Sequence, residues 1–178
     1  MDSVRAVRAD ITTVAADAMI NAANSQLAAG GGVDGAVHRA GGPGIQAELR
    51  RRYRGCPTGS AVLTGAGRLP AGHLIHAVGP RWQDGAHGEP EKLESAYRRA
   101  FELAAEVSAA TVVTPSISTG IYGFPIALAA SIAVRQARAA LAAAGTSLRQ
   151  ITFALFSDAD LVVFTGEIDA GPGAPSSG

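Results

Sequence analysis

The sequence predicts an α/β layered protein in which helices cover both faces of a largely parallel β-sheet. Patterns typical of strands and of helices alternate along most of the chain. The run TVVTPSIS is apolar and β-branched, as expected of a strand buried on both faces. Residues 126–143 are rich in alanine, the strongest helix former. We expect one domain over residues 1–166 and a disordered tail at 167–178, where the composition is that of a flexible end.

The first half of the chain supplies four strand candidates and two helix candidates. Residues 4–7 (VRAV) alternate in polarity like a half-buried strand, and residues 18–21 form a short buried strand. A helical pattern runs over residues 33–53, and GGPG at 41–44 divides it in two. The segments SAVLTGAG and HLIHAVGP are predicted strands joined by the turn RLPAG, so they add an antiparallel element.

The second half alternates more regularly. Residues 89–107 predict a helix that is followed by the buried strand TVVTPSIS. The alanine-rich helix at 126–143 precedes Gly145, which suits a helix stop. The strand QITFALF follows, and residues 158–165 predict a short final helix.

The amino-acid composition limits the classes of protein to which the chain can belong. The chain has 178 residues, of which 47% are hydrophobic and 17% charged, which is typical of a globular protein. Its 15 basic and 15 acidic residues balance, so no strong field favours nucleic acid or an anionic membrane. The single cysteine excludes an intramolecular disulfide. No apolar run is long enough to span a membrane and no signal-peptide pattern is evident, so we expect a cytoplasmic protein with no membrane partner.

Two glycine-rich loops follow predicted strands and open helices. Residues 30–32 lead into the helix at Val33, and Gly120 and Gly123 lead into the helix near Pro125. In open α/β sheets, ligands bind outside the carboxyl ends of the strands. Backbone N–H groups of such loops, with a helix N-terminus behind them, suit phosphate, and two of them suit a diphosphate. The alternative is a pair of tight turns that need positive φ. Neither loop matches a Walker A motif or the dinucleotide fingerprint.

Asp34 lies two residues after the first glycine run. In the first turn of a helix it is a favourable partner for the helix dipole. The alternative is that it orients or deprotonates a water beside a bound phosphate. His38 lies four residues later on the same helix face, so the two form either a proton relay or an exposed helical pair.

Other polar and aromatic residues at these strand ends also have two interpretations. Asn21 and Asn24 suit turns, but Asn24 could also hold a sugar hydroxyl. Tyr122 and Phe124 either stack on a ribose or base or cap the core.

Several other residues give weaker indications of function. His73 and His76 are three apart in a strand and so face opposite sides, which does not suit a metal pair, and no zinc-type cluster exists. Cys56 has no nearby histidine and is expected to be a packing residue. Residues 50–54 (RRRYR) suit either a nucleic-acid grip or a solvated basic helix end.

Six motifs in order go beyond these generic inferences. ADIT, NAAN, GGGVDGAVH, CPTGSAV, HAVGP and SISTGIYGFP closely resemble the macrodomain family, specifically its MacroD-type branch. The resemblance runs from about Val4 to Thr165. It implies a three-layer α/β/α sandwich around a mixed sheet of about six strands, and ADP-ribose as the ligand.

The resemblance also assigns roles to the matching positions. Asp10 would accept a hydrogen bond from the adenine amino group and Phe156 would stack on adenine. The implied catalytic residues are Asp34, Asn24 and His38. The implied ADP-ribose-binding residues are Asp10, Ile11, Asn21, Gly30, Gly31, Gly32, Val33, Ser118, Thr119, Gly120, Ile121, Tyr122, Gly123, Phe124 and Phe156. The resemblance implies no metal ligand and no cofactor.

MacroD-type proteins look like hydrolases that remove mono-ADP-ribose from acidic side chains and deacetylate O-acetyl-ADP-ribose. The implied mechanism is substrate-assisted, with a water held between Asp34 and a phosphate oxygen. The expected partners are ADP-ribose and ADP-ribosylated protein. Two alternatives remain: a hydrolase of ADP-ribose linked to nucleic acid, for which residues 50–54 would be the basic feature, and a reader that binds without hydrolysis.

The chain departs from the branch at two positions. Ala9 replaces the first glycine of the usual GDIT, and Ala29 replaces the first of the usual four glycines. The methyl of Ala29 is expected to narrow the ribose pocket or to stiffen the loop, and so to shift substrate preference.

Overall fold

A six-stranded mixed sheet forms the centre of the molecule. The computed structural model describes residues 3–173. In chain order the strands are β1 (Ser3–Arg8), β2 (Ala16–Ala23), β3 (Ala61–Gly65), β4 (Ala71–Val78), β5 (Thr111–Thr114) and β6 (Gln150–Leu155). Their order across the sheet is β1-β6-β5-β2-β4-β3. All neighbouring pairs are parallel except β3 with β4, which is antiparallel.

Five α-helices cover the sheet. They are α1 (Gly32–Gly41), α2 (Pro43–Arg52), α3 (Glu89–Glu106), α4 (Ile126–Ala142) and α5 (Asp158–Ala170), and a short 3-10 helix spans Ile11–Thr13. Ala129, Ala133 and Ala137 are fully buried and recur every four residues along α4, so this small-residue face packs closely on the core. Pro43 starts α2 where its missing N–H costs nothing.

The helices divide between the two faces. Helices α3, α4 and α5 pack on one face around Tyr97, Phe101 and Phe153. Helices α1 and α2 pack on the other around Val37 and Leu49. The fold is therefore the expected three-layer α/β/α sandwich with a mixed sheet.

The chain leaves β5 and β2 in opposite directions. From β5 it passes through α4 on one face to β6, and from β2 it passes through α1 and α2 on the other face toward β3 and β4. The crevice outside the carboxyl ends of these two strands is a topological switch point, where open α/β sheets bind ligands.

The predicted elements are confirmed to within about two residues at their ends, with two exceptions. The strand predicted over TVVTPSIS ends at Thr114, and residues 115–118 belong to the loop that follows it. The last helix continues to Ala170, five residues beyond the predicted end at Thr165. Gly166 does not stop it, because Ile168 still packs against the core and its carbonyl accepts a hydrogen bond from Arg138. Residues 167–170 of the predicted tail are thus helical, and 174–178 lie outside the described residues. Within residues 3–173, no helix is both long and apolar enough to cross a membrane.

Candidate active site

A cleft of about 460 Å³ lies at the switch point. This volume is within the range of roughly 300–1,000 Å³ typical of small-molecule sites. The loops after β2 and β5 form its walls, and the segment after β4 closes one end. Its lining residues are Ala22, Ala23, Asn24, Ser25, Gln26, Gly30, Gly31, Gly32, Val33, Asp34, Gly79, Arg81, Ser116, Ile117, Ser118, Gly120, Ile121 and Tyr122.

Gly31 and Gly120 lie on the two loops that wall this cleft. Neither position requires glycine for the fold of its own loop. Gly31 has an extended backbone with φ −93°, and Gly120 is not among the positive-φ residues. A Cβ at either position would meet no protein atom within 4 Å. The turn interpretation therefore does not account for these two glycines, although it does fit Gly32 and Gly123, whose φ values are +57° and +69°. Space left open at Gly31 and Gly120 permits close approach of a ligand to the backbone.

Ser118 is the strained residue of the cleft wall. Its φ is +69°, a region that non-glycine residues rarely adopt. Its hydroxyl is buried and has no hydrogen-bond partner among the described residues. Gly79 makes room for it, since a Cβ at Gly79 would overlap the Ser118 side chain. Such strain and an unpartnered polar group are concentrated at functional sites.

Asp34 lies buried at the base of the cleft, with 6% of its surface exposed. Its Oδ1 accepts a hydrogen bond from Asn21 Nδ2 at 2.6 Å, and its Oδ2 accepts one from the Gly30 N–H at 2.6 Å. His38 Nε2 lies 3.4 Å from Oδ1. Burial alone would raise the pKa of Asp34, but the nearby His38 ring and the hydrogen bonds from Asn21 and Gly30 outweigh it and hold the pKa below its usual range. Asp34 is therefore a carboxylate at neutral pH.

A series of buried polar side chains, linked by hydrogen bonds, extends from Asp34 into the sheet. Asn21 Nδ2 also lies 3.2 Å from Nδ1 of His76, and His76 Nε2 lies 2.9 Å from the Thr64 hydroxyl. That hydroxyl donates to the carbonyl of Gly65, so it must accept from His76. His76 is therefore a neutral Nε2–H tautomer whose Nδ1 accepts from Asn21. Burial lowers the pKa of His76 to about 4, which agrees with a neutral ring.

The three residues expected to be catalytic occupy different positions. Asp34 and Asn24 line the cleft, whereas His38 lies behind Asp34 and does not reach the wall. The Asp34–His38 pair is buried, so it is not an exposed helical pair. Asn24 shapes its own loop: its Nδ2 donates to the Ala28 carbonyl and its Oδ1 accepts from the backbone N–H groups of Gln26 and Ala28. One N–H of the Asn24 amide remains for a ligand.

The residues expected to bind adenine lie at the other end of the sheet edge. Asp10 follows β1 and Phe156 follows β6, two paired strands, and neither side chain lines the cleft. Phe156 is 86% exposed, which leaves its ring available for stacking. Asp10 Oδ1 accepts from the backbone N–H and hydroxyl of Thr12. Ile11 is buried in the core cluster beneath α1.

The loop after β5 presents only part of its predicted set. Ser118, Gly120, Ile121 and Tyr122 line the cleft, whereas Thr119 turns back to bond Ser116 and Gly123 supports the turn. The prediction that Phe124 shapes the ribose pocket is corrected. Its ring is buried at 2% exposure and packs edge-on against Trp82 with centroids 4.8 Å apart. Capping of the core, the alternative interpretation, is what the structure shows.

The residues set aside on sequence grounds behave mostly as expected. Cys56 is buried, and burial raises the pKa of its thiol, which suits packing rather than nucleophilic chemistry. Arg52, in the basic last turn of α2, forms a 2.7 Å ion pair with Glu48 of the same helix. His76 is the exception, because its ring accepts a hydrogen bond from the Asn21 amide.

Sequence reasoning missed the contribution of β4. His76 pairs with Asn21 across the β2–β4 register, and no local pattern in the sequence reveals that pairing. Gly79 and Arg81, which follow β4, were not expected at the cleft either. The guanidinium carbon of Arg81 lies 4.7 Å from the centre of the Tyr122 ring.

Fold and site together define an α/β protein with a cleft at the switch point of a mostly parallel sheet, walled by two glycine-rich loops and lined by an ionised carboxylate. The chain belongs to the Macro domain family, whose model matches residues 20–133. This confirms the resemblance found in the sequence.

Relatives and solved structures agree with this membership. O-acetyl-ADP-ribose deacetylase 2 of Pantoea vagans is 54% identical over 137 residues, which cover 75% of this chain and 80% of that protein. A macro domain-containing protein of Caldanaerobacter subterraneus is 48% identical over 167 residues, covering 92% and 94%. The Trypanosoma brucei macrodomain in complex with ADP-ribose superposes with a TM-score of 0.85 at 34% identity, covering 94% of this chain and 69% of that one. The Oceanobacillus iheyensis macrodomain with ADP gives 0.84 at 34%, covering 92% and 88%.

Proposed function

We propose that this protein is an ADP-ribose-binding hydrolase that removes mono-ADP-ribose from acidic residues, deacetylates O-acetyl-ADP-ribose, or does both. The observation that carries the proposal is the ionised, hydrogen-bonded Asp34 at the base of a cleft walled by two open glycine loops. The name of the Pantoea vagans relative supports the deacetylase activity, and the ADP-ribose complex of the Trypanosoma brucei macrodomain supports the ligand.

In this proposal the ligand extends along the sheet edge. Adenine lies between Asp10 and Phe156 at the ends of β1 and β6. The diphosphate lies between Gly31 and Gly120, whose backbones admit a close approach. The N-terminus of α1 adds partial positive charge there. The distal ribose then reaches Asn24 and Asp34 at the end of β2.

The chemical step uses positioning more than base strength. A water held between Asp34 and a phosphate oxygen gives up a proton to this pair as its oxygen attacks. Attack on the anomeric carbon of the distal ribose breaks the C–O bond to the acidic side chain, and attack on the ester carbonyl breaks the acyl C–O bond. In both cases the products are a carboxylate and a free ribose hydroxyl. Because its pKa is low in the free protein, Asp34 is a weak base and its main task is to orient the water. The bound diphosphate is a like charge that raises the pKa of Asp34 and eases transfer of the proton.

His38 and His76 act through Asp34 in this scheme. His38 contacts the carboxylate from α1, and His76 fixes the amide of Asn21 from β4. Both are positioning residues, since neither lines the cleft.

Substitution of Gly31 tests the ligand placement. Gly31→Val adds a side chain whose Cβ meets no protein atom within 4 Å, so we expect the variant to fold while the diphosphate is obstructed. We expect ADP-ribose affinity measured by calorimetry to fall at least about 10-fold, or about 1.4 kcal/mol. Gly166→Val, at an exposed position of α5 where an added Cβ also meets no protein atom within 4 Å, is the matched control. Equal ADP-ribose affinity in both variants would contradict the placement.

A panel of conjugates tests the activity. The protein is incubated with ADP-ribose linked to Glu or Asp, Ser, Arg, acetate and nucleic acid, and released product is quantified. Release from the acidic-residue or O-acetyl conjugate is expected. Tight ADP-ribose binding with no release from any conjugate would identify a reader instead. Release only from nucleic acid, weakened by salt, would favour that alternative substrate.

A further inference from the structure

A second pocket of about 230 Å³ lies beside the cleft. The segment after β4 and the start of α3 form most of it, and Thr58, which precedes β3, also lines it. Ser25, Gly79, Arg81 and Tyr122 line both cavities, so the two are neighbours along the same sheet edge.

The strand order indicates what reaches this pocket. Under the proposed function, on which this inference rests, the ligand passes from β1 and β6, over β5, to β2 with its distal ribose last. The next parallel strand is β4, whose following segment builds the second pocket. A group attached to the distal ribose therefore extends from the cleft toward this pocket.

The pocket lining carries a net positive charge, because Arg81 and Lys92 outnumber the single carboxylate, Glu89. Arg81 and Lys92 line it, and neither forms an ion pair with any residue in the described part of the chain. Its carboxylate, Glu89, is occupied by backbone N–H groups. The nearby Asp84 carboxylate accepts from His87 Nδ1 at 2.9 Å.

We propose that this pocket receives the protein part of the substrate, and that Arg81 and Lys92 bind an acidic residue next to the ADP-ribosylated side chain. Two cations that line a cavity and lack ion-pair partners favour an anionic binding partner. The pocket is smaller than the roughly 300 Å³ typical of sites for whole small molecules. It suits a side chain and a short piece of backbone.

The lining favours a peptide over nucleic acid. Single-stranded nucleic acid is bound by aromatic platforms and a basic groove that follows the backbone. No Trp or Phe lines the pocket, and Arg81 already covers one face of Tyr122.

Matched peptides test the proposal. Each carries mono-ADP-ribose on the same single glutamate, with acidic, neutral or basic flanking residues. For the wild-type protein, we expect a KM about fivefold lower for the acidic than for the neutral peptide at low salt, with similar kcat, because exposed ion pairs are modest. High salt should reduce this preference. Equal KM values across the three peptides would overturn the proposal.

Charge reversal sharpens the test. Lys92→Glu should shift the preference toward the basic peptide, and Lys92→Ala should weaken it. Arg98→Ala is the matched control, because Arg98 is an exposed cation on the same helix that lines neither pocket. An acidic preference that survives Lys92→Glu unchanged would assign the selectivity elsewhere.

Failure of the proposed function can be distinguished from failure of this inference. Turnover of O-acetyl-ADP-ribose reports the former alone, since an acetyl group is too small to occupy the second pocket. If no conjugate is cleaved, equilibrium binding of the same three peptides gives the acidic-to-neutral Kd ratio directly. A preference for ADP-ribosylated DNA over the acidic peptide, abolished by Lys92→Glu, would overturn the assignment to protein.

Discussion

Asp34 and Glu89 are both buried carboxylates in the first turn of a helix, but their oxygens are occupied in different ways. Within residues 3–173, Glu89 accepts hydrogen bonds only from the backbone of its own loop, and the four donors are the N–H groups of Gln83, Asp84, Gly85 and His87. Asp34 accepts one backbone N–H, from Gly30, and side-chain contacts from Asn21 and His38.

The difference separates a carboxylate that fixes a loop from one that serves a ligand. Backbone donors hold the pKa of Glu89 at about 2, well below its ordinary 4.5, against the opposing effect of burial. Yet Glu89 is the structural group, because its donors fix residues 83–87 around it. Asp34 is tied to β2 and α1 and faces the larger cavity. A perturbed pKa therefore does not by itself identify the functional carboxylate.

Replacing Asp34 should give the largest effect on turnover. Asp34→Ala removes the group that orients the water, so we expect hydrolysis of the preferred conjugate to fall by about 100-fold or more. The Gly30 N–H and an Asn21 N–H lose their acceptor, which should cost about 1–3 kcal/mol of unfolding free energy. Turnover is measured below the Tm of the variant. Full activity would remove Asp34 from the mechanism.

Replacing His76 should give the next largest effect, through Asn21. His76→Leu leaves one Asn21 N–H without an acceptor and loosens the amide that holds Asp34. We expect kcat to fall on the order of 10-fold, less than the 10²-fold that a misplaced catalytic geometry can cost, with little change in ADP-ribose Kd. His76→Asn restores an acceptor near the Nδ1 position and should recover part of kcat. Equal kcat in the two variants would argue against a role through Asn21.

These two sites also show what the sequence could and could not predict. The strands, the helices and the glycine loops follow from local patterns, so they were predictable. The role of His76 depends on pairing between strands 55 residues apart, which HLIH does not reveal locally. Phe124 stands between loop residues, and only packing against Trp82 decides that its ring enters the core. Arg81 reaches the cleft because β4 lies next to β2, a property of topology.

Glu89→Gln should affect stability rather than chemistry. An amide cannot accept at both ends, so some donors at residues 83–87 lose their partner and Tm should fall. O-acetyl-ADP-ribose turnover should persist where the variant stays folded. Loss of turnover in a fully folded variant would contradict the structural role assigned to Glu89.

The effect of the same substitution on Tm should depend on pH. The folded pKa of Glu89 is lowered, so its contribution to stability is present above its ordinary pKa near 4.5 and is lost as pH falls toward about 2. The difference in Tm between the wild type and Glu89→Gln should therefore shrink over this window. A difference that stays constant from pH 6 to pH 2 would show that ionisation of Glu89 is not what stabilises the loop.

Ala29→Gly should have the smallest effect, despite its place in the glycine run that leads to Asp34. Ala29 is exposed and does not line the cleft, and its φ is not positive. Its methyl is therefore absent from the wall that the ribose would contact, and the wild-type backbone already suits alanine. Glycine should cost about 0.4–1 kcal/mol through unfolded-chain entropy. We expect an unchanged profile over the conjugate panel, and a changed profile would mean that loop stiffness at residue 29 controls how Gly30 presents its N–H to Asp34.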